Sequence, residues 1–545
     1  MSHPDLARRF LADQARTTWH DHAVWSFRAK RDVQAHGIPE WEALRDAAAG
    51  IKAHTMSRLA DYLVEFERNA TIHGAVVHWA RDAAEHNRIV LGILRERGAT
   101  RLVKSKSMFT EECGLNPFLE AHGISVTDTD LGERIVQLSG TGPSHIVAPA
   151  IHLRHEEVGD LFHRLLGTPE GLSDPAQLAA AARLHLRERF LACDAALTGA
   201  NFGVAETGGI VIVTNEGNAD LGITLAPLHI ASMGIEKLVP RLEHLAVFVR
   251  LLARSTTGQP ISTYTSHVQA PRPGGALHIV LVDNGRTGQL ARPEFRRSLH
   301  CIRCGACLNT CPVFRRSGGY SYGYVLPGPI GSVLAPGADP RAHRDLPFAS
   351  SLCGSCGDVC PVKVDLPDQL YRWRQRLGEQ RLVSWRKRAV MRVMGWVMAR
   401  PAWYERAGKL ARWGLRHLPR PVLTALARPW TIERELPEAP VEAFRDWYRK
   451  HRGRGPVCER ARRHPRGDPT GGGAGGRAAG PTTGIEGRGR ATPGLGAAFH
   501  RSAEGGGRQG GGTGGSRGAG VRGVGVGRGT GGAGSRDGGG GTHGV

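Results

Sequence analysis

CIRCGACLNTCP (residues 301–312) and CGSCGDVCP (residues 353–361) hold seven of the chain's ten cysteines in two short runs. The first spaces Cys301, Cys304, Cys307 and Cys311 as C-x2-C-x2-C-x3-C-P; the second spaces Cys353, Cys356 and Cys360 as C-x2-C-x3-C-P. Two-residue spacers on a tight loop let successive thiolates face different irons of one cubane, and Gly305, Gly354 and Gly357 let the backbone wrap closely. The x3 spacer carries the last cysteine about one helical turn further, away from its own loop's cluster. Zinc also takes CxxC pairs, but a zinc ribbon draws four ligands from two pairs, not three at consecutive x2 spacing plus a Cys-Pro. The spacing predicts iron–sulfur ligation.

In two-cluster ferredoxins the cysteine before the proline serves the other cluster. Carried over by spacing, Cys301, Cys304, Cys307 and Cys360 hold cluster one, and Cys311, Cys353 and Cys356 hold cluster two. Two 4Fe–4S clusters are expected. Cluster two is one thiolate short, so it takes a non-cysteine fourth ligand or is a 3Fe–4S cluster. Cys113 and Cys193 fall in helical patterns and read as core residues, whereas Cys458 lies in a polar tail and reads as exposed.

Outward from the cysteines, five stretches differ in pattern. Residues 1–98 form an N-terminal helical segment, with Leu59, Tyr62, Leu63 and Phe66 at three-to-four spacing. Residues 99–290 alternate short β-rich runs (Arg101–Val103, Ile124–Thr127, His145–Ala148, Gly209–Thr214, His278–Val282) with helical ones (Thr110–Glu120, Glu156–Leu166, Pro175–Cys193, Val239–Leu252). That alternation predicts an α/β domain with a mainly parallel sheet. Residues 295–370 are the cysteine region, and 371–450 a helical region rich in Arg and Trp. Residues 451–545 are Gly/Arg-rich with almost no large apolar residues; they cannot offset their ordering entropy and are predicted to be disordered.

The 545-residue chain carries a formal net charge of +22, but close to half of the excess sits in that tail, which also holds roughly half of the 74 glycines. The body lacks the Lys/Arg run interleaved with aromatics that a nucleic-acid surface shows, so no nucleic-acid partner is expected. The start, MSHPDLARRFLADQARTTWHDH, has no apolar h-region, and no window has the ~18 uninterrupted apolar residues of a membrane span. A cytoplasmic protein is expected, and ten cysteines in a reducing compartment point to metal or catalysis rather than to disulfides.

The α/β region carries KSKSM (104–108), TGPSHIVAPAIHL (141–153), TGANFGVAETGGIVIVTNEGN (198–218), PLHI (227–230) and GIEKLVP (234–240), and GYVLPGPIGSVL (323–334) lies between the cysteine runs. On these residues, from about residue 10 to 450, the chain resembles the lactate utilization protein B family: a LUD domain followed by a ferredoxin-like, α-helical two-cluster domain. The resemblance implies a LUD fold similar to the NagB/RpiA/CoA-transferase-like group of sugar-phosphate deaminases, isomerases and CoA transferases. It also implies an electron-transfer subunit in oxidation of L-lactate to pyruvate, with cysteine-rich and LUD-only subunits as partners. The tail departs from the family and is assigned no function.

The family supplies cluster ligands but leaves the LUD ligand open, and no G-x-G-x-x-G opens a helix after a strand to hold a dinucleotide. Gly208 and Gly209, with Gly203, could bring backbone N–H groups to an anion, and Glu206 or Glu216 could be the relic of a CoA-transferase nucleophile. Lys104, His145, His152 and His229 are further candidate anion contacts or proton carriers. The competing reading makes the glycines turn-formers, the carboxylates solvated and the histidines structural. Two rival functions stand beside electron transfer: a self-contained iron–sulfur oxidoreductase acting on a CoA or sugar-acid ligand, and a non-catalytic iron–sulfur sensor. The catalytic step of lactate oxidation itself is assigned to no residue of this chain.

Overall fold

Strands in the middle of a sheet covered on both faces lose the alternation of a half-buried strand and read as unbroken small or apolar runs. LHIASMG and AALTG are of this kind. The computed structural model describes residues 2–431 and 434–451, and its strands are β1 (Val76–Ala80), β2 (Arg101–Lys104), β3 (Ser125–Asp128), β4 (Ala195–Gly199), β5 (Phe202–Val204), β6 (Gly209–Thr214), β7 (Leu228–Gly234), β8 (Leu238–Val239), β9 (Tyr264–Val268) and β10 (Ala276–Val282). Six of them form one sheet in the order β1-β10-β7-β4-β2-β3, every neighbouring pair parallel. All of β7 is buried, with Leu228 opposite Ala195 on one side and Ala276 on the other. The remaining strands make a mixed sheet, β8-β5-β6-β9, in which β6 runs antiparallel to both neighbours.

After β2 the chain moves outward to β3, and then returns to place β4 on the other side of β2. Connections that leave a strand pair in opposite directions open a crevice at the strands' carboxyl ends. The helices Gln14–His36 and Trp41–Ser57 cross from this domain to the cysteine region. Asp13 caps the first of them by accepting from Arg16 N at 2.9 Å, and Trp41, Leu44 and Ala48 bury the apolar face of the second.

The parallel α/β reading holds, with several local differences. The helical pattern begun at Leu59 stops at Ile72, and VVHWA is β1 rather than helix. His145–Ala148 is not a strand: the buried His145 ring accepts from Val147 N (3.0 Å) and Ala148 N (3.1 Å), which folds the segment on itself and takes both N–H groups away from a ladder. Thr110–Glu120 is two short helices, Met108–Glu112 and Leu115–Glu120, separated where Gly114 takes φ 62°.

Beyond the cysteines, Leu366–Glu379 buries Leu370, Trp373 and Leu377, and Trp373 stacks on Phe295 with ring centroids 4.2 Å apart. The following helix, Trp385–Met398, buries no side chain, and Pro401–His417 buries Gly414 alone. Residues up to Ala443 pack as one unit; the helix Phe444–His451 belongs to a second. Among the described residues no helix is long and apolar enough to cross a membrane. The expected tail disorder and the exposure of Cys458 lie outside the described residues.

Candidate metal centre

Each cysteine run turns sharply and then enters a short helix: Ala306–Thr310 after Gly305, and Ser355–Asp358 after Gly354. Pro312 follows Cys311 at the first position of the helix Pro312–Ser317, where its missing N–H costs no hydrogen bond. Cys304, Cys307, Cys311, Cys356 and Cys360 are buried, Cys301 is half-buried and Cys353 exposed, all as free thiols.

The electrostatics show which thiols are neighbours. Burial pushes Cys304 far up, and Cys301 and Cys360 push it further. Cys307 is raised by burial and then by Cys301, Cys304, Cys356 and Cys360. Cys360 rises to about 11 through burial and Cys301, against the pull of the Val364 N–H. Cys356 rises to about 12 through burial, Cys311 and Cys353, and Cys311 is raised by burial and, less, by Cys353. Cys360 of the second run is therefore near Cys301 and Cys304 of the first, Cys311 of the first is near Cys353 and Cys356 of the second, and Cys307 is near both Cys356 and Cys360.

Crowded buried thiols cannot ionise together without a cation to neutralise them. Sulfur is a soft donor suited to iron–sulfur groups, and N–H donors already point at two of these sulfurs: Arg303 N at Cys301 Sγ (3.4 Å) and Val364 N at Cys360 Sγ (3.3 Å). Among the described residues no three His, Cys, Asp or Glu side chains are close enough to share one metal ion. An all-thiol donor set of this kind fits iron–sulfur groups.

The N-terminal helices hold these loops through a feature that the spacing of the cysteines does not signal. Arg45 Nε and Nη2 donate to Cys360 O (3.0 Å) and Asp358 O (2.7 Å), Arg31 reaches Val359 O at 3.4 Å, and Arg28 donates to Thr310 Oγ1. Tyr322, wholly buried, sets its hydroxyl against Cys311 and also faces Cys307 and Cys356.

Beside Cys304 the crevice at the carboxyl ends of β2, β4 and β7 widens to a cavity of about 540 Å³. Lys106, Glu216, Lys237, Arg303 and Cys304 line it. Lys106 donates to Asp130 and to Val147 O, both at 3.1 Å. Burial and Arg303 bring the Lys237 amine down to about 8. Burial would push Glu236 up, but Arg286, Arg303 and Lys237 hold it down at about 2.

Of the residues singled out as LUD ligands, Glu216 stands at this cavity. Lys104 is fully buried among Glu111, Asp128 and Glu133 and does not line it. Glu206 accepts from Leu242 N at 2.9 Å, at the start of the helix Leu242–Thr256. Gly208 packs on the backbone at Asn69 and Ala70, and Gly209 on the His267 ring, so both serve close packing. His145 bonds Asn309 (2.8 Å), His152 bonds Ser144 (2.8 Å) and His229 bonds Thr198 (2.8 Å); burial pulls the three down to about 4, 4 and 3. Lys106 and Lys237 were not singled out, although both lie in stretches quoted above, KSKSM and GIEKLVP, because nothing in those stretches says which residue faces the crevice.

Residues 63–287 match the LUD domain family, and residues 297–364 match the 4Fe-4S dicluster domain. Lactate utilization protein B of Shouchella clausii (strain KSM-K16) is 40% identical over 424 residues, covering 76% of this chain and 89% of that protein. The chain belongs to the lactate utilization protein B family. Another member, from Geobacillus thermodenitrificans (strain NG80-2), is 41% identical over 432 residues, 76% of this chain and 89% of its own. An uncharacterized electron transport protein, YkgF, of Escherichia coli (strain K12) is 38% identical over 434 residues, 78% of this chain and 91% of its own. A crystal structure of a duf162 family protein from Deinococcus radiodurans covers 41% of this chain and 98% of its own at 17% identity, but its TM-score of 0.23 supports no fold assignment.

Proposed function

We propose that this chain is the iron–sulfur subunit of a cytoplasmic system that oxidises L-lactate to pyruvate, and that it carries electrons one at a time through two 4Fe–4S clusters. Cys301, Cys304, Cys307 and Cys360 are assigned to cluster one, and Cys311, Cys353 and Cys356 to cluster two. The observation that carries this reading is the crossed neighbourhood of the thiols, Cys360 beside Cys301 and Cys304, and Cys311 beside Cys353 and Cys356. The 4Fe-4S dicluster match and the names of the relatives support it. Bound clusters supply one-electron transfer. The chain's own residues do the remainder: thiolates fix the irons, Arg31 and Arg45 hold the carbonyls of the second run in place, and Tyr322 with its apolar neighbours keeps water from Cys311.

Conversion of lactate to pyruvate releases two electrons and two protons, which a cysteine-rich or LUD-only partner subunit is assigned to take first. The anaerobically purified chain with L-lactate alone should stay oxidised, and its visible absorbance should bleach once those partners are added. Lactate-dependent turnover of an artificial acceptor by the chain alone would contradict this. It would favour the second reading, an oxidoreductase with its own ligand in the LUD domain, for which the cavity beside Cys304 is the specific support. The parallel sheet and its crevice agree with a NagB/RpiA/CoA-transferase-like domain.

A further inference from the structure

The two cysteine runs align in register on Cys304 and Cys353. Each is preceded by a non-glycine residue in the left-handed region (Arg303, φ 61°; Leu352, φ 55°) and followed by a glycine there (Gly305, φ 83°; Gly354, φ 91°). Left-handed backbone costs an L-residue roughly 1–2 kcal/mol, so its recurrence at one position of both runs marks the same turn built twice. Cys307 and Cys356 then correspond, as do Cys311-Pro312 and Cys360-Pro361. Three residues upstream, where the first run has Cys301, the second has Ser350.

The correspondence reaches the hydrogen bonding. Arg303 N donates to Cys301 Sγ at 3.4 Å, and Leu352 N donates to Ser350 Oγ at 3.1 Å. Ser350 Oγ donates to no other described residue, which leaves its hydroxyl proton uncommitted. The segment around it is held firmly: Arg374 donates to Ser350 O (2.7 Å) and Pro347 O (2.9 Å). Ser350 is half-buried and borders a cavity that Val313, two residues past Cys311, also lines.

We propose that Ser350 Oγ is the fourth protein ligand of cluster two, bound as the alkoxide to the iron that lacks a thiolate. The proposal rests on the assignment of Cys311, Cys353 and Cys356 to that cluster. One Fe–O bond forms, the hydroxyl proton passes to solvent, and no electron moves. The Tyr322 hydroxyl is another oxygen at this end, buried beside Cys311, Cys307 and Cys356 with no hydrogen-bond partner among the described residues, and Tyr322→Phe tests it as the rival ligand. An alkoxide holds iron less firmly than a thiolate in a sulfur-rich cluster, so this corner is the one air should strip.

The full chain and its Ser350→Cys, Ser350→Ala and Tyr322→Phe variants, reconstituted anaerobically with iron and sulfide, test this by iron count and EPR. Wild type should hold about eight irons, the content of two four-iron clusters, and develop a three-iron signal in air. Ser350→Cys should keep that count and lose the air-induced signal. Ser350→Ala should show the three-iron signal before air is admitted, whereas Tyr322→Phe, which leaves Ser350 in place, should show that signal only in air. Ser350→Cys and Ser350→Ala both behaving as wild type would overturn the ligand while leaving two clusters standing, as would a three-iron signal that follows Tyr322→Phe instead. A wild-type chain with a single cluster would sink the two-cluster assignment and the ligand with it. If Ser350→Ala loses both clusters through misfolding, the air response of Ser350→Cys decides alone.

Discussion

Lys104 exposes none of its side chain, and its ammonium lies 2.7 Å from Asp128, 2.8 Å from Glu111 and 3.6 Å from Glu133. Burial would pull the amine down, yet the three carboxylates hold it well above its ordinary value. Lys104→Met would leave Asp128 and Glu133 buried without a counter-charge, and should cost about 3–5 kcal/mol in denaturant unfolding. A lysine after a strand looks like an anion contact in sequence, because nothing local announces that three carboxylates from other elements converge on it. Glu236 makes a pH-dependent case. Its folded-state value of about 2 lies below the ordinary 4.5, so between those values the unfolded chain binds the extra proton. Its contribution, about 3 kcal/mol by linkage, is present above pH 4.5 and is lost as pH falls toward 2. The stability gap between wild type and Glu236→Gln should narrow over that window; a gap independent of pH would show that the arginines do not act on this carboxylate.

At the scale of elements, patterns were legible where one face meets solvent. The helices His155–Leu166 and Pro175–Leu191 lie within two residues of their expected bounds, the first through its apolar stripe and the second through the Asp174 cap and Pro175 at its start. β4 and β7 were hidden because both faces are covered, and β1 because the helical period before it runs up to its edge. Gly208 looked like part of an anion cradle, but a Cβ there would sit 2.0 Å from Ala70 N at a φ of +65°. Gly208→Ala should therefore destabilise by more than ~1 kcal/mol, lowering the melting temperature without changing iron content. The helices Trp385–Met398 and Pro401–His417 bury almost nothing of themselves. A chain ending after Ser384 should keep its iron and melt within a few degrees of the full protein; loss of iron would show that these helices support the centre.

Across the whole molecule, the cysteine region does not stand alone. Arg28, Arg31 and Arg45 come from the first quarter of the chain to the backbone and hydroxyl groups of residues 310–360, and Phe295 and Trp373 close the other side. Residues 295–381 expressed alone should incorporate far less iron than the full chain under the same anaerobic reconstitution, and full incorporation would make the N-terminal helices irrelevant to the centre. The cysteine spacing made the chemistry legible, since seven cysteines occupy two short runs; the clamp was not legible, because its arginines lie among many others. The central claim is that each cluster draws ligands from both runs, and EPR with iron counts on Cys311→Ser and Cys360→Ser measures it directly. Cys311→Ser should damage cluster two and spare cluster one, and Cys360→Ser should do the reverse. Loss in each variant of the cluster belonging to its own run would contradict the crossed assignment.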